Sequence, residues 1–225
     1  MWYIIANNRS FGDVRGLNDL ERNKTMRRIW LTGYRSYELG VFEDKDTKVT
    51  VIKMVLTERL TQLLNQTEDE VWVIAGPQMG VERWGLEVAN ELKVDYPQLK
   101  TSLIMPFAEF GRQWNESNQF KLQQMVAQVD YYGEVSNLPY QGPEQLRRYQ
   151  QFLMEHSDYL LMVFDPEQEL NPDQHAKPYW DYQGAQSYQA TAPDYEISLI
   201  MMDELQEAAE NWAEQQREDA ETYGE

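Results

Sequence analysis

From Glu70 to Glu82 the chain reads Glu-Val-Trp-Val-Ile-Ala-Gly-Pro-Gln-Met-Gly-Val-Glu. Residues 70–75 are a short run rich in β-branched and aromatic side chains, the pattern of a strand buried on both faces. Gly76-Pro77 ends it, because glycine frees the backbone to turn and proline cannot donate to a ladder. Beyond Gly80, apolar residues recur as Val81, Trp84, Val88 and Leu92, which is helical spacing. A strand, a glycine-containing turn and an amphipathic helix make half of a βαβ unit.

The same alternation extends in both directions. Residues 28–32 form an apolar run ending at Gly33, and residues 47–66 place Val51, Ile52, Val55, Leu56, Leu60, Leu63 and Leu64 on one helical stripe. A third strand is expected over 101–105, closed by Pro106, followed by helices over 115–129 and 143–156. A fourth strand is expected over 159–164, closed by Asp165-Pro166, and a fifth over 196–201 before a helix over 203–217. Residues 167–193, rich in Tyr, Gln and Pro, show no clear period, with a short helix expected around 182–189. Five apolar strands alternating with helices specify an α/β fold, a Rossmann-like three-layer sandwich with a mainly parallel five-stranded sheet.

Composition narrows the chemistry. The 225 residues carry 38 acidic and 20 basic side chains, a net charge of -18. This balance argues against capture of duplex nucleic acid or an anionic membrane, which rely on clustered Lys and Arg. With no cysteine there is no disulfide frame, thiolate zinc site or thiol nucleophile. The two histidines, His156 and His175, offer little for a zinc centre or a His-based triad, and no metal site is expected. Residues 1–25 hold four basic and three acidic residues, whereas residues 203–225 hold nine acidic residues and one arginine. The apolar run 2–6 is too short for a signal peptide, and no run approaches a membrane span, so a cytoplasmic protein is expected. Met26 stands just before the first strand, so residues 1–25 read as a flexible extension, residues 26–217 as one domain and residues 218–225 as an acidic tail.

In such sheets, ligands bind outside the carboxyl ends of the strands. Those ends here carry Gly33, Tyr34 and Arg35; Gly76, Gly80 and Glu82; Pro106 and Phe107; and Asp165. Gly76 and Gly80 would let a phosphate approach backbone N–H groups at a helix start, or serve packing alone. Arg35 could hold a phosphate, or pair with Glu38. Glu82 in the first helical turn either complements the helix dipole or meets ribose hydroxyls and a hydrolytic water. Phe107 and Trp114 could stack on a base or belong to the core, and Asp165 with Glu167 could hold Mg²⁺ or shape a turn.

At these residues the chain resembles the YpsA family, cytoplasmic proteins of Gram-positive bacteria in the SLOG superfamily of Rossmann-like folds. The likeness is carried by Thr32-Gly33-Tyr34-Arg35, by Gly80-Val81-Glu82 with Trp84, and by Pro106-Phe107. It continues through Gly111, Gln113-Trp114-Asn115-Glu116, Asn118-Gln119 and Phe164-Asp165-Pro166-Glu167. It covers about residues 26–212. SLOG relatives include the DNA-processing protein A, the Lonely-guy phosphoribohydrolases and molybdenum-cofactor carriers. The resemblance therefore implies a nucleotide or ADP-ribose-like ligand near Gly33, Gly80 and Glu82, with Asn118 added from the matching stretch. Two features depart from the pattern: three residues separate Gly76 from Gly80, and the hydrolase signature Pro-Gly-Gly-x-Gly-Thr is absent.

Three roles follow as expectations. One is a sensor or regulator binding a nucleotide-derived ligand. The second is an N-glycosidic-bond hydrolase using Glu82. The third is a protein-interaction module built on the acidic last helix, with a homo-oligomer or protein partner left open.

Overall fold

The computed structural model describes residues 26–168 and 175–222; the expected extension at 1–25 and the last three residues of the expected tail lie outside them. Six parallel strands form one sheet in the order β4-β3-β2-β1-β5-β6. The strands are β1 (Met26–Gly33), β2 (Glu70–Ala75), β3 (Leu99–Met105), β4 (Tyr131–Glu134), β5 (Tyr159–Val163) and β6 (Glu196–Ile200). The helices are α1 (Thr47–Leu64), α2 (Val81–Leu92), α3 (Glu116–Gln128), α4 (Pro143–Glu155), α5 (Lys177–Gln189) and α6 (Met202–Thr222).

The Rossmann-like reading holds, with one strand more than the expected five. β4 has the sequence Tyr-Tyr-Gly-Glu, four residues with a glycine in the middle, so it lacks an apolar run. It forms because Asp130 anchors it: the Asp130 amide donates to Thr101 O at 3.0 Å, and Oδ2 accepts the Thr101 amide at 2.8 Å. Lys93 closes the corner with an ion pair to Asp130 at 2.6 Å.

α1 packs against α2 and α6, and α2 against α3, on one face of the sheet, whereas α4 packs against α5 on the other. This division follows from right-handed crossovers, because the chain steps outward from β1 to β4 and then returns past β1 to β5. The core is continuous through both layers. α1 buries Val51, Ile52, Val55, Leu56, Leu60, Leu63 and Leu64, each worth roughly 1.5–3 kcal/mol of transfer energy. At the amino edge, Arg28 grips Asp158 through Nε at 3.0 Å and Nη2 at 2.7 Å, fixing β1 beside β5. α5 starts five residues before the short helix expected at 182, and α6 continues past the expected end at Arg217. Among the described residues, no helix is long and apolar enough to cross a membrane.

Candidate functional site

The strand order reverses at β1, which lies between β2 and β5, so the crevice at the carboxyl ends of β1 and β5 is the topological switch point. Gly33 ends β1 opposite Val163. Tyr34 is buried and its hydroxyl accepts the Asp165 amide at 3.3 Å. Arg35 then forms an isolated antiparallel bridge with Gly80. Ser36 N–H donates to Met79 O at 2.9 Å, and Val81 N–H to Tyr34 O at 3.1 Å.

This bridge explains Gly80. Its φ is 133°, and a Cβ there would stand 2.5 Å from Tyr34 O and 2.6 Å from Ser36 N. Gly76 is equally hemmed in: its Cβ would overlap the Tyr149 hydroxyl and lie 2.5 Å from Glu82 Oε2. The space that both glycines make is filled by the chain itself, so the resting structure uses them for packing.

Glu82 is 2% exposed and fully engaged. Its Oε1 accepts Lys177 Nζ at 2.8 Å and Thr32 Oγ1 at 2.9 Å, and its Oε2 accepts the Gln78 amide at 2.9 Å. Lys177, the first residue of α5, also donates to Thr32 Oγ1 at 2.8 Å and to Asp181 Oδ2 at 2.5 Å. Burial disfavours its ammonium, but the Asp181 and Glu82 carboxylates outweigh that cost and hold its pKa above the ordinary lysine value. Asp181 Oδ1 accepts Gln150 Nε2 at 3.1 Å.

Glu38 links this cluster to Arg35. Its Oε1 accepts Lys177 N–H at 3.0 Å and Arg35 Nη2 at 2.6 Å, and its Oε2 accepts the Arg35 amide at 2.7 Å. Burial opposes the carboxylate charge, yet the Arg35 guanidinium and the two amides hold Glu38 below its ordinary pKa. Arg35 also lies over the Tyr37 ring, 4.7 Å from its centroid. Two cations, Arg35 and Lys177, face three carboxylates, Glu38, Glu82 and Asp181, so the cluster carries one net negative charge.

Beyond Glu38 a cavity of about 900 Å³ opens between the start of α1, the β5 end and the start of α6. Val51, Ile52 and Leu205 form its apolar floor, and Glu38, Lys48, Asp165, Glu167 and Asp203 stand on its walls. Asp165 shapes this wall: Oδ1 accepts the Glu167 amide at 2.9 Å, and Oδ2 accepts the Met202 amide at 3.2 Å, capping α6. That is the turn-forming role weighed from the sequence. Among the described residues, no group of three or more His, Cys, Asp or Glu side chains could hold a metal ion.

The remaining expected residues lie elsewhere. Pro106 leads from β3 into a second cleft of about 570 Å³ that Phe107 and Trp114 line, and this cleft shares no lining residue with the cavity. Asn118 lines neither; its amide donates to Asn115 Oδ1 at 2.9 Å, within the start of α3. The site read from the sequence as one thus falls into two. Thr32, named from the sequence only as part of the strand end, joins the cluster, and Lys177 and Asp181 carry no sequence signal of their own. Lys177 and Asp181 sit four apart, an ion-pair spacing that becomes visible only once α5 is known to start at Lys177.

A model of the YspA SLOG family, YpsA, matches residues 29–205. A UPF0398 protein of Limosilactobacillus reuteri (strain DSM 20016) is 53% identical over 193 residues, covering 86% of this chain and 98% of that protein. Its counterpart in Lactiplantibacillus plantarum is 47% identical over 191 residues, 85% and 96% of the two chains. The Latilactobacillus sakei protein is 46% identical over 189 residues, 84% and 97% of the two. The match starts within β1, spans the other five strands and five of the six helices, and extends into the sixth, so the chain belongs to the YpsA family of SLOG proteins.

Proposed function

We propose that this protein binds a nucleotide-derived small molecule, sugar side inward, in the cavity at the carboxyl edge of the sheet. The observation that carries the reading is the wall chemistry of that cavity. Four carboxylate side chains and one lysine stand over an apolar floor. Glu38 and Asp165 already accept hydrogen bonds on both oxygens, so Glu167 and Asp203 meet the ribose hydroxyls and Lys48 serves the anionic end. The size, about 900 Å³, lies in the range of small-molecule sites.

Binding without turnover suits this geometry better than N-glycosidic hydrolysis. A general base must reach a water, and both Glu82 oxygens already accept hydrogen bonds inside a buried cluster. A binding protein of this kind acts as a sensor or regulator of nucleotide-derived metabolites, and meets them in the cytoplasm.

Thermal shift with AMP and ADP-ribose tests the reading. Either ligand at 100 times its Kd should stabilise the fold by about 2.7 kcal/mol, a rise of several degrees. Gln206→Trp, an exposed wall position on α6, should fold normally and reduce the shift. An equal shift in the variant, or none with the wild type, would contradict the proposal.

A further inference from the structure

The second cleft has a distinct chemistry. It lies between the loop after β3 and the loop after β4, and its rings meet edge-on or tilted. Phe107 lies 5.2 Å from both Phe110 and Tyr140, and Phe110 lies 5.3 Å from Trp114 at 81°. Tyr140 ends this row of rings and is 54% exposed, so part of its ring is open to the cleft. Both loops are pinned from behind by glutamines. Gln119 on α3 donates to Arg112 O at 2.9 Å and Trp114 O at 2.8 Å. Gln145 on α4 donates to Ser136 Oγ at 2.9 Å and to Pro139 O at 3.2 Å. Glu109 is held at φ 63°, the one left-handed non-glycine residue among those described. The cleft is therefore formed in advance.

Charge at the mouth is balanced. Arg112 and Glu109 pair at 2.6 Å, leaving no net attraction for an anion or a cation, while their free polar atoms and Gln113 can meet heteroatoms at a ring edge. We infer that this cleft is a binding site for an uncharged planar heteroaromatic ring, a nucleobase, stacked on the exposed Tyr140 ring beside Phe107 and Trp114. It goes beyond the proposed function because it is a separate cavity with its own lining.

Free adenine, which has no sugar for the acid-walled cavity, is the probe, and ribose 5-phosphate is the control that lacks a base. In titration calorimetry with saturation-transfer NMR, adenine should bind the wild-type protein with its ring protons saturated. Tyr140→Ala, a change at an exposed ring, should weaken that binding roughly 5- to 150-fold, the range for losing one stacking partner. Gln206→Trp should leave adenine binding unchanged, and Tyr140→Ala should leave ribose 5-phosphate binding unchanged. Adenine binding that is unchanged in Tyr140→Ala, fails in the wild type, or is lost only in Gln206→Trp would overturn the inference. The last outcome would place the base in the larger cavity and leave the proposed function standing.

Discussion

Lys177 has three ammonium protons and three acceptors, Thr32, Glu82 and Asp181, so no donor remains for a ligand. It locks α5 to the switch point and neutralises one of two buried carboxylates. Lys177→Met should cost about 3 kcal/mol in urea unfolding, because truncating one partner of a buried pair strands the other. Adding Asp181→Asn should recover part of it. A cost below about 0.5 kcal/mol at pH 7 would show that the cluster is held by something else. Glu38 gives a complementary pH signature. Its folded pKa lies below the ordinary 4.5, so its contribution is complete above that value and fades as pH falls through the lower folded value. Glu38→Gln should therefore be less stable than wild type at pH 7 and converge with it in acid. Parallel curves from pH 7 down to acid would exclude this role. The sequence made Glu38 visible as a partner of Arg35, because the two lie three apart. It could not reveal Lys177 or Thr32, whose roles depend on pairing across 145 residues.

At the level of single elements, apolar runs made β1, β2, β3 and β5 legible, and helical stripes did the same for α1 and α2. β4 and the start of α5 escaped for a physical reason: neither carries its own apolar period. β4 depends on Asp130, which ties it to Thr101 and Lys93. Asp130→Ala should cost about 1–2 kcal/mol and speed hydrogen exchange selectively in residues 131–134. Uniform exchange across the sheet would contradict that local role. α5 is docked by polar contacts at its first turn, Lys177 and Asp181, with Ala185 buried farther along. Hydrophobic periodicity alone has little to report there. The same limit applies to the site. The strand ends named the correct edge of the sheet, yet side-chain geometry divides those residues between an acid-walled cavity and an aromatic cleft.

For the whole molecule, the charge of -18 is organised. Much of it lies on α6, whose residues from Glu214 to Glu221 are all exposed. Removing residues 218–225 should change stability by less than about 0.5 kcal/mol, because residues 218–221 are exposed and exposed positions contribute little. A loss of several degrees in Tm would mean that the end of α6 docks on something essential. Farther in, carboxylates are placed rather than scattered: Asp165 caps α6, Glu38 braces Arg35 against α5, and Glu82 sits beneath the switch point. Glu38 and Asp165 thereby stand on the walls of the cavity proposed to take a sugar. Mass spectrometry of small molecules released by denaturing the freshly purified protein can identify its occupant. A ribosylated compound near one equivalent, absent from Gln206→Trp prepared in parallel, is the expected finding. Equal amounts from both proteins, or a released molecule without a sugar, would contradict it.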